Sequence, residues 1–179
     1  DFLIGKQLTG SRLGILGMGR IGRALAKIAK SFGMEIHYRN RSRLKPEIEM
    51  GAKYHETIKS LFSVSDVLSI CCPATNETKD IINSETLEYF PTGAVITNVA
   101  RGDMIEDEAM IQALKNRKIY AIGLDVYKGE PKIHPGYTNQ PTAFILPHLG
   151  SATKKTRTAM ADLAISNIVE FLETGKCQN

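Results

Sequence analysis

The sequence has 179 residues, of which 42% are hydrophobic, enough to bury the core of one domain. Its 23 Lys and Arg residues against 19 Asp and Glu give a net charge of +4 spread along the chain, so nucleic acid is not implied as a partner. Three cysteines without a C-x-x-C pair argue against a disulfide framework and favour a reducing cytoplasm, and no apolar run approaches the ~18 residues that would span a membrane.

Short apolar runs rich in β-branched residues alternate with stretches of helical periodicity. This alternation is typical of a parallel sheet covered by helices. Together with the right-handed crossover rule, it predicts an α/β fold with a doubly wound parallel sheet in three layers, helix, sheet and helix. The predicted strands are Arg12–Leu16, Glu35–Tyr38, a weaker one near Lys53, Val67–Cys71, Ala94–Asn98, Ala121–Asp125 and Ala143–Leu146.

Helical periodicity fills the segments between these strands. The first crossover helix is expected to end before Gly33, a residue suited to a left-handed position after a helix. Its core face is predicted from the i, i+3, i+4, i+7 spacing and consists of Ile21, Ala24, Leu25, Ile28 and Phe32. Further helices are predicted over Thr57–Phe62, Ser84–Tyr89, Asp107–Asn116 and Thr153–Leu172.

Two segments near the carboxyl end stand apart. Residues 126–142 contain three prolines and two glycines with little periodicity, so a long surface loop is expected there, and loops of that length are often functional. Gly175 is expected to end the last helix. The apolar positions of that helix are Met160, Leu163, Ala164, Ile168, Phe171 and Leu172.

The segment G-M-G-R-I-G stands directly after the first predicted strand and opens the first helix. Gly17 permits a tight turn, Gly19 lets a pyrophosphate approach the backbone, and Gly22 lets helix and strand pack closely. The N–H groups of Arg20 and Ile21 are expected to face the phosphates, where the helix dipole favours negative charge. This context predicts a dinucleotide site, against the alternative of a glycine turn without a ligand.

The residues after the second predicted strand are basic. NAD-binding domains normally carry a carboxylate there for the ribose 2′-OH, but this position holds Arg39, followed by Asn40, Arg41, Ser42 and Arg43. Guanidinium groups beside amide and hydroxyl donors suit a 2′-phosphate, which a carboxylate would repel. We therefore predict NADP(H) in preference to NAD(H), the alternative being a solvated basic loop.

Three later segments, N-V-A-R-G, D-V-Y-K-G-E-P and L-P-H-L-G-S-A-T, each follow a predicted strand. Doubly wound folds bind ligands at the carboxyl ends of parallel strands, so Arg101, Asp125, Glu130 and His148 are expected around one crevice. Taken singly, these residues could be a helix cap, a loop carboxylate or a structural histidine. Their co-occurrence favours catalysis.

With the glycine turn and the segment C-P-A-T-N-E-T, these motifs closely resemble the D-isomer-specific 2-hydroxyacid dehydrogenases, over essentially the whole chain. The resemblance implies a Rossmann fold and an oxidoreductase that transfers hydride between a nicotinamide cofactor and a small 2-keto acid. It assigns catalysis to Arg101, Glu130 and His148, and it implies no metal. It also implies that Asp125 contacts the nicotinamide carboxamide. The full set of implied cofactor contacts is Cys72, Pro73, Val99, Ala100, Arg101, Asp125, His148 and Gly150.

The chemistry explains these residue types. Reduction of a 2-keto acid adds hydride to the carbonyl carbon and a proton to its oxygen, which requires a proton donor and a carboxylate clamp. An imidazole suits the donor role because it titrates near neutral pH, which points to His148. Glu130 is expected to orient that imidazole, and Arg101 to hold the substrate carboxylate with its planar guanidinium.

Within the family, N-R-S after the second strand and L-P-H-L-G-S-A-T are most similar to glyoxylate/hydroxypyruvate reductases and the related 2-ketogluconate reductases. The resemblance implies a protein of two lobes, and the substrate lobe is expected to be largely absent from these 179 residues. Residues 1–179 are therefore expected to form a single NAD(P)-binding domain that binds cofactor but reduces substrate poorly. A homodimer is expected. The alternative function is a dinucleotide-sensing interaction protein of the same fold, similar to a transcriptional corepressor.

The remaining histidines and cysteines lie outside these assignments or have a bland alternative. His37, His55 and His134 are predicted to be structural or exposed. Cys71 and Cys72 stand at the end of an apolar strand and are predicted to be a buried pair of small side chains, without redox chemistry.

Overall fold

The structure, a computed structural model, describes residues 5–177. The chain divides into two compact units, Asp1–Pro147 and His148–Asn179. The first contains seven strands: β1 (Arg12–Leu16), β2 (Glu35–Arg39), β3 (Lys53–Tyr54), β4 (Val67–Ile70), β5 (Ala94–Asn98), β6 (Ile119–Leu124) and β7 (Ala143–Ile145). Its helices are α1 (Arg20–Ser31), α2 (Pro46–Glu49), α3 (Ile58–Phe62), α4 (Ser84–Leu87), α5 (Asp107–Lys115) and α6 (Pro135–Thr138). The second unit contains α7 (Lys154–Thr174).

All seven strands are parallel, in the order β3-β2-β1-β4-β5-β6-β7. The order reverses between β1 and β4, which is where a doubly wound fold opens a crevice at the carboxyl ends of its strands. The predicted fold class is therefore confirmed, and each predicted strand exists with boundaries shifted by at most two residues.

Two hydrophobic clusters lie on opposite faces of the sheet. Side chains alternate along a strand, and β1 shows this directly. Leu13 and Ile15 join a cluster that includes Ala26 and Ala29 of α1, whereas Leu16 belongs to the larger cluster beneath α3, α4 and α5. The helices therefore cover both faces, as a three-layer arrangement requires.

The predicted core face of α1 is wrong. Ile21, Ile28 and Phe32 are 62%, 59% and 54% exposed, Ala24 is also exposed, and Leu25 alone of the five packs against the core. The residues that α1 does bury are small: Gly22, Ala26 and Ala29.

Close approach between α1 and β1 explains this reversal. A Cβ added to Gly22 would lie 2.4 Å from the carbonyl oxygen of Gly17 and 3.0 Å from Ile15 Cγ2. Only glycine and alanine fit at that separation, so the larger apolar side chains turn outward. The predicted role of Gly22 in close packing thus holds, whereas the face predicted from apolar periodicity does not. Gly33 has φ +74°, as predicted for the residue after this helix.

The segment 126–142 is more ordered than the predicted surface loop. It contains α6, and the side chain of Tyr137 within that helix is buried. The Tyr137 hydroxyl donates a hydrogen bond to Asp107 Oδ1 at 3.0 Å, which ties this segment to the start of α5. The sequence did not predict this helix, because its four residues are too few to show helical periodicity and its proline and glycine are typical of a loop.

The second unit consists of the turn after β7 and the long helix α7. Thr153 caps the helix by accepting a hydrogen bond from Thr156 N, and Gly175, with φ +68°, ends it as predicted. None of the α7 residues that the structure describes is buried. Among residues 5–177, no helix combines the length and apolar character needed to cross a membrane.

The three remaining histidines have structural roles. His37 is buried, and its Nδ1 lies 2.9 Å from Nε2 of His55. His134 Nδ1 accepts a hydrogen bond from Gly136 N at the start of α6.

Candidate cofactor-binding and active site

The glycine turn between β1 and α1 is pressed against the end of β4. Gly17 has φ +100°, and a Cβ there would lie 2.4 Å from the backbone nitrogen of Cys72. At Gly19, in contrast, an added Cβ would meet no atom within 4 Å. Gly19 is the N-cap residue of α1, so the N–H groups of Arg20 and Ile21 belong to the first turn of the helix. Open space above a helix N-terminus is the geometry that accepts a phosphate.

A cavity of about 460 Å³ opens beside this turn, at the carboxyl ends of β1, β2 and β4. Eight residues predicted to bind the cofactor line it, namely Gly17, Gly19, Arg39, Asn40, Arg41, Ser42, Cys72 and Pro73. The other predicted residues of the first unit lie outside this lining, namely Arg20, Ile21, Gly22, Val99, Ala100, Arg101, Asp125 and Glu130.

Part of the cavity wall was not foreseen. Apolar side chains come from four separate places in the sequence, and polar ones come from α1 and from the segment after β4. The apolar lining residues share no sequence motif, so the sequence offered no reason to predict them. Thr75, Glu77 and Thr78, in contrast, lie within C-P-A-T-N-E-T and could have been predicted from that motif to line the cavity. The unforeseen lining residues include Leu44, Ile48, Ile58, Ile81, Arg23, Thr75, Glu77 and Thr78.

The basic loop after β2 contacts the glycine turn directly. Asn40 Oδ1 accepts a hydrogen bond from Met18 N at 2.7 Å, and Gly17 N donates to the carbonyl oxygen of Arg39 at 3.0 Å. The residue whose side chain meets the turn is thus Asn40, one position beyond the residue expected to replace the ribose carboxylate. Arg39 Nε is buried and has no hydrogen-bond partner among the described residues.

Arg43 does not line the cavity, although it belongs to the same basic run. Its Nε and Nη2 donate to the two carboxylate oxygens of Glu49 at 2.9 and 3.0 Å. The buried Tyr38 hydroxyl donates to the same carboxylate at 2.6 Å. These bonds, the Arg43 bond first, hold the pKa of Glu49 below its usual range.

The two thiols after β4 border the cavity. Burial raises the pKa of both Cys71 and Cys72, and that of Cys72 to about 11. The positive charge of Arg39 is close enough to oppose this rise at Cys72. Both thiols are free and partly buried, so they are neutral walls of the cavity at neutral pH.

Arg101 stands in a turn that is shaped by the buried Asn98. Asn98 Oδ1 accepts from Ala100 N at 3.0 Å, and its Nδ2 donates to the carbonyl oxygen of Arg101 at 2.8 Å. Asn98 is fully buried, so these bonds hold the turn against the end of β5. The amide was part of the N-V-A-R-G motif, but only the contacts reveal that it positions Arg101.

The turn that carries Arg101 meets the segment that carries Glu130. A Cβ on Gly102 would lie 2.1 Å from the carbonyl carbon of Tyr127, so the two backbones touch. Glu130 Oε1 accepts a hydrogen bond from Tyr127 N at 3.1 Å. Asp125, 9% exposed, donates its N–H to the carbonyl oxygen of Asn98 at 3.1 Å. The first unit therefore brings Arg101, Asp125 and Glu130 to adjacent loops.

His148 and Gly150 belong to the second unit. His148 has φ +56°, a left-handed conformation that costs a non-glycine residue about 1–2 kcal/mol. Such strain is concentrated at functional sites in proteins. Within the same unit, Arg157 Nε donates to the carbonyl oxygen of Ser151 at 3.2 Å and fastens the turn to the first part of α7.

No cluster of three or more His, Cys, Asp or Glu side chains suited to a metal ion occurs among residues 5–177.

These observations define a class of protein: a doubly wound nucleotide-binding domain whose glycine turn and basic loop lie at the switch point of the sheet. The chain belongs to the D-isomer specific 2-hydroxyacid dehydrogenase family, because residues 1–150 match the NAD binding domain of that family. The resemblance seen in the motifs is thereby confirmed.

Two curated relatives show the range of named activities. The 4-methyl-2-oxopentanoate reductase A of Aspergillus oryzae is 42% identical over 173 residues, covering 97% of this chain and 52% of the relative. A glyoxylate reductase of Aeropyrum pernix is 42% identical over 177 residues, covering 96% of this chain and 51% of the relative. The chain thus spans about half the length of the curated relatives it matches.

Solved structures agree with this assignment. A glyoxylate reductase from Paecilomyes thermophila matches with a TM-score of 0.95 and 41% identity, over 98% of this chain and 53% of that one. An NADPH-dependent glyoxylate/hydroxypyruvate reductase from Sinorhizobium meliloti, in complex with NADP and malonate, matches with a TM-score of 0.90 and 33% identity. That match covers 95% of this chain and 52% of the other.

Proposed function

We propose that this chain is the NADP(H)-binding part of a reductase that converts small 2-keto acids, of the glyoxylate and hydroxypyruvate type, into D-2-hydroxy acids. The main support for this proposal is the position of the basic loop. Its residues line the cavity beside the glycine turn, namely Arg39, Asn40, Arg41 and Ser42. Two guanidinium groups with amide and hydroxyl donors form a receptor for a phosphate dianion. A solved relative at 33% identity is described as NADPH-dependent.

The residues of the cavity fit a dinucleotide phosphate on two observations. The space above Gly19 is open to 4 Å, as close approach of a pyrophosphate requires. Arg39 Nε is a buried donor without a partner among the described residues, and a bound phosphate would supply an acceptor. When bound, the nicotinamide cofactor supplies the hydride. The apolar wall formed by Leu44, Ile48 and Ile58 suits the adenine ring.

The catalytic roles follow from the chemistry of each side chain. Arg101 is proposed to bind the substrate carboxylate through its planar guanidinium, in a position held by Asn98. His148 is proposed to donate the proton to the keto oxygen, with Glu130 orienting its imidazole. Asp125 is proposed to hold the nicotinamide carboxamide, and the backbones of Val99, Ala100 and Gly150 to complete the contacts.

Equilibrium binding tests the cofactor preference. We expect the chain to bind NADPH at least about tenfold more tightly than NADH, a difference of ~1.4 kcal/mol. Arg41→Ala should remove most of this preference and leave NADH binding unchanged. Lys27→Ala, which removes an exposed positive charge from α1 outside the cavity lining, is the control. Equal affinity for the two cofactors would overturn the proposed preference.

The substrate class has a separate test. Steady-state reduction of glyoxylate, hydroxypyruvate, 2-ketogluconate and pyruvate, measured with the full-length protein that includes the substrate lobe, should rank glyoxylate and hydroxypyruvate above pyruvate. A pyruvate rate above both would contradict the assignment. We further propose that the protein is a homodimer, as the family resemblance indicates, and that it is cytoplasmic, as the cysteine usage indicates. The molar mass measured by light scattering after size-exclusion chromatography tests the dimer.

A further inference from the structure

The segment 40–44, here called the phosphate loop, is anchored at both ends to buried parts of the sheet. At its start, Asn40 accepts a hydrogen bond from Met18 N. At its end, Leu44 N donates to the hydroxyl of Tyr38 at 3.0 Å. The side chains of Met18 and Tyr38 are both fully buried. The middle of the loop, in contrast, is exposed and lines the cavity through Arg41 and Ser42.

Glu49 completes the second anchor. This carboxylate lies at the end of α2, is 6% exposed, and receives three hydrogen bonds, two from Arg43 and one from Tyr38. Because its pKa is lowered by those bonds, it is ionised at neutral pH and neutralises Arg43. Three arginines lie in or beside this loop. Arg43 is bound by Glu49, whereas Arg39 and Arg41 line the cavity.

We propose that Tyr38, Arg43 and Glu49 form a clamp that holds the phosphate loop in the shape that receives a 2′-phosphate, and thereby sets the preference for NADP(H). The inference rests on the proposed function, because it explains the cofactor preference stated there. Tyr38 and Glu49 are positioning residues, since they act through the loop rather than on the ligand.

The physical reason is preorganisation. An exposed loop with long side chains loses conformational freedom when it binds an anion, and a loop already fixed at both ends loses less. The clamp also prevents Arg43 from competing for the phosphate in an unproductive arrangement. A purely structural clamp, joining α2 to β2, would instead affect all ligands of the cavity equally.

Two nucleotides that differ only in the phosphate separate these possibilities. Affinities for 2′,5′-ADP and 5′-AMP should be measured calorimetrically with the unaltered chain and with Glu49→Gln, Tyr38→Phe and Arg43→Lys. We expect each variant to lower the ratio of the two affinities about five- to tenfold and to leave 5′-AMP binding within about twofold. Arg43→Lys should have the smallest effect, because it retains the charge.

Asp66→Asn is the matched control. The Asp66 carboxylate receives two bonds from the guanidinium of Arg12 at 2.9 Å each, as that of Glu49 does from Arg43, and a third bond from the backbone N–H of Arg12. This pair lies at the amino ends of β1 and β4, at the edge of the sheet opposite the cavity. The ratio should be unchanged in this variant.

The outcomes separate failure of the clamp from failure of the proposed cofactor preference. If the unaltered chain binds both nucleotides equally, the proposed cofactor preference fails and the clamp fails with it. If it prefers 2′,5′-ADP and all three clamp variants keep that preference, the clamp alone is overturned. Equal weakening of both nucleotides also overturns it, because that is the signature of a structural role. Should Glu49→Gln fail to fold, Tyr38→Phe and Arg43→Lys decide in the same way.

Discussion

Replacement of Gly19 by alanine should separate cofactor binding from folding. Gly19 has φ −80°, which alanine adopts readily, and its added Cβ would meet no atom within 4 Å. The free energy of unfolding should fall by no more than about 1 kcal/mol, the difference between glycine and alanine at a helix N-cap. The methyl group, however, would occupy the space above the turn where the pyrophosphate is proposed to bind. NADPH affinity should therefore fall about 10- to 100-fold, or ~1.4–2.8 kcal/mol.

Gly17→Ala and Gly93→Ala are control variants, in which we expect a loss of stability for reasons that do not apply at Gly19. Gly17 combines φ +100° with Cys72 atoms at 2.4–2.7 Å, so backbone strain of ~1–2 kcal/mol adds to overpacking of ~1–3 kcal/mol. Gly93 has φ +81° and nothing within 4 Å, so only the ~1–2 kcal/mol of strain applies. For a chain of this length, ~1 kcal/mol moves Tm by about 2–4 °C. Gly17→Ala should thus lower Tm by about 10 °C, and Gly93→Ala by about half as much.

The assays are thermal unfolding of each variant and fluorescence titration with NADPH. We expect Gly19→Ala to lower Tm by no more than about 4 °C and to lose affinity, and Gly93→Ala to lower Tm by about 5 °C and to keep its affinity. If Gly19→Ala binds NADPH normally, the turn does not hold the pyrophosphate. If it unfolds as easily as Gly17→Ala, the space above the turn does not accommodate a methyl group.

Three further predictions concern single side chains. Asn98→Ala, which deletes two buried hydrogen bonds, should cost about 2–3 kcal/mol in a thermal unfolding assay; a cost below ~0.5 kcal/mol would contradict its positioning role. Iodoacetamide at pH 8 should label the exposed Cys177 well before Cys72, because at a pKa of about 11 only ~1 in 1,000 Cys72 thiols is ionised; equal rates would refute this. Burial lowers the pKa of His37 and His55, so below pH ~6.5 the unfolded chain binds protons more readily than the folded chain and Tm should fall as the pH drops. His37→Gln should make Tm less dependent on pH in this range, and an unchanged dependence would contradict the role given to His37.

Patterns confined to a few consecutive residues predicted much of this molecule. The strands were found because β-branched runs form parallel strands wherever both faces are covered. The glycine turn was found because only glycine tolerates φ +100° beside Cys72, a requirement written into G-x-G-x-x-G itself. Arg39 to Ser42 were placed in the cavity because the end of β2 and the turn after β1 are neighbours in every such sheet.

Contacts between separate segments could not be predicted in this way. The face of α1 depends on the distance between that helix and β1, which the contact of Gly22 with Gly17 sets, and periodicity counts apolar residues without knowing this distance. Arg43 is identical in type to Arg41, yet one is bound by Glu49 and the other lines the cavity.

The sequence by itself determined the fold class, the place of the glycine turn and the family. These depend on local conformational preference and on strand order, which chain chemistry largely dictates. The tertiary structure decided which of the basic residues remain available to a ligand and which support them. Charge alone does not distinguish such residues, because availability depends on the partners that folding brings within hydrogen-bond distance.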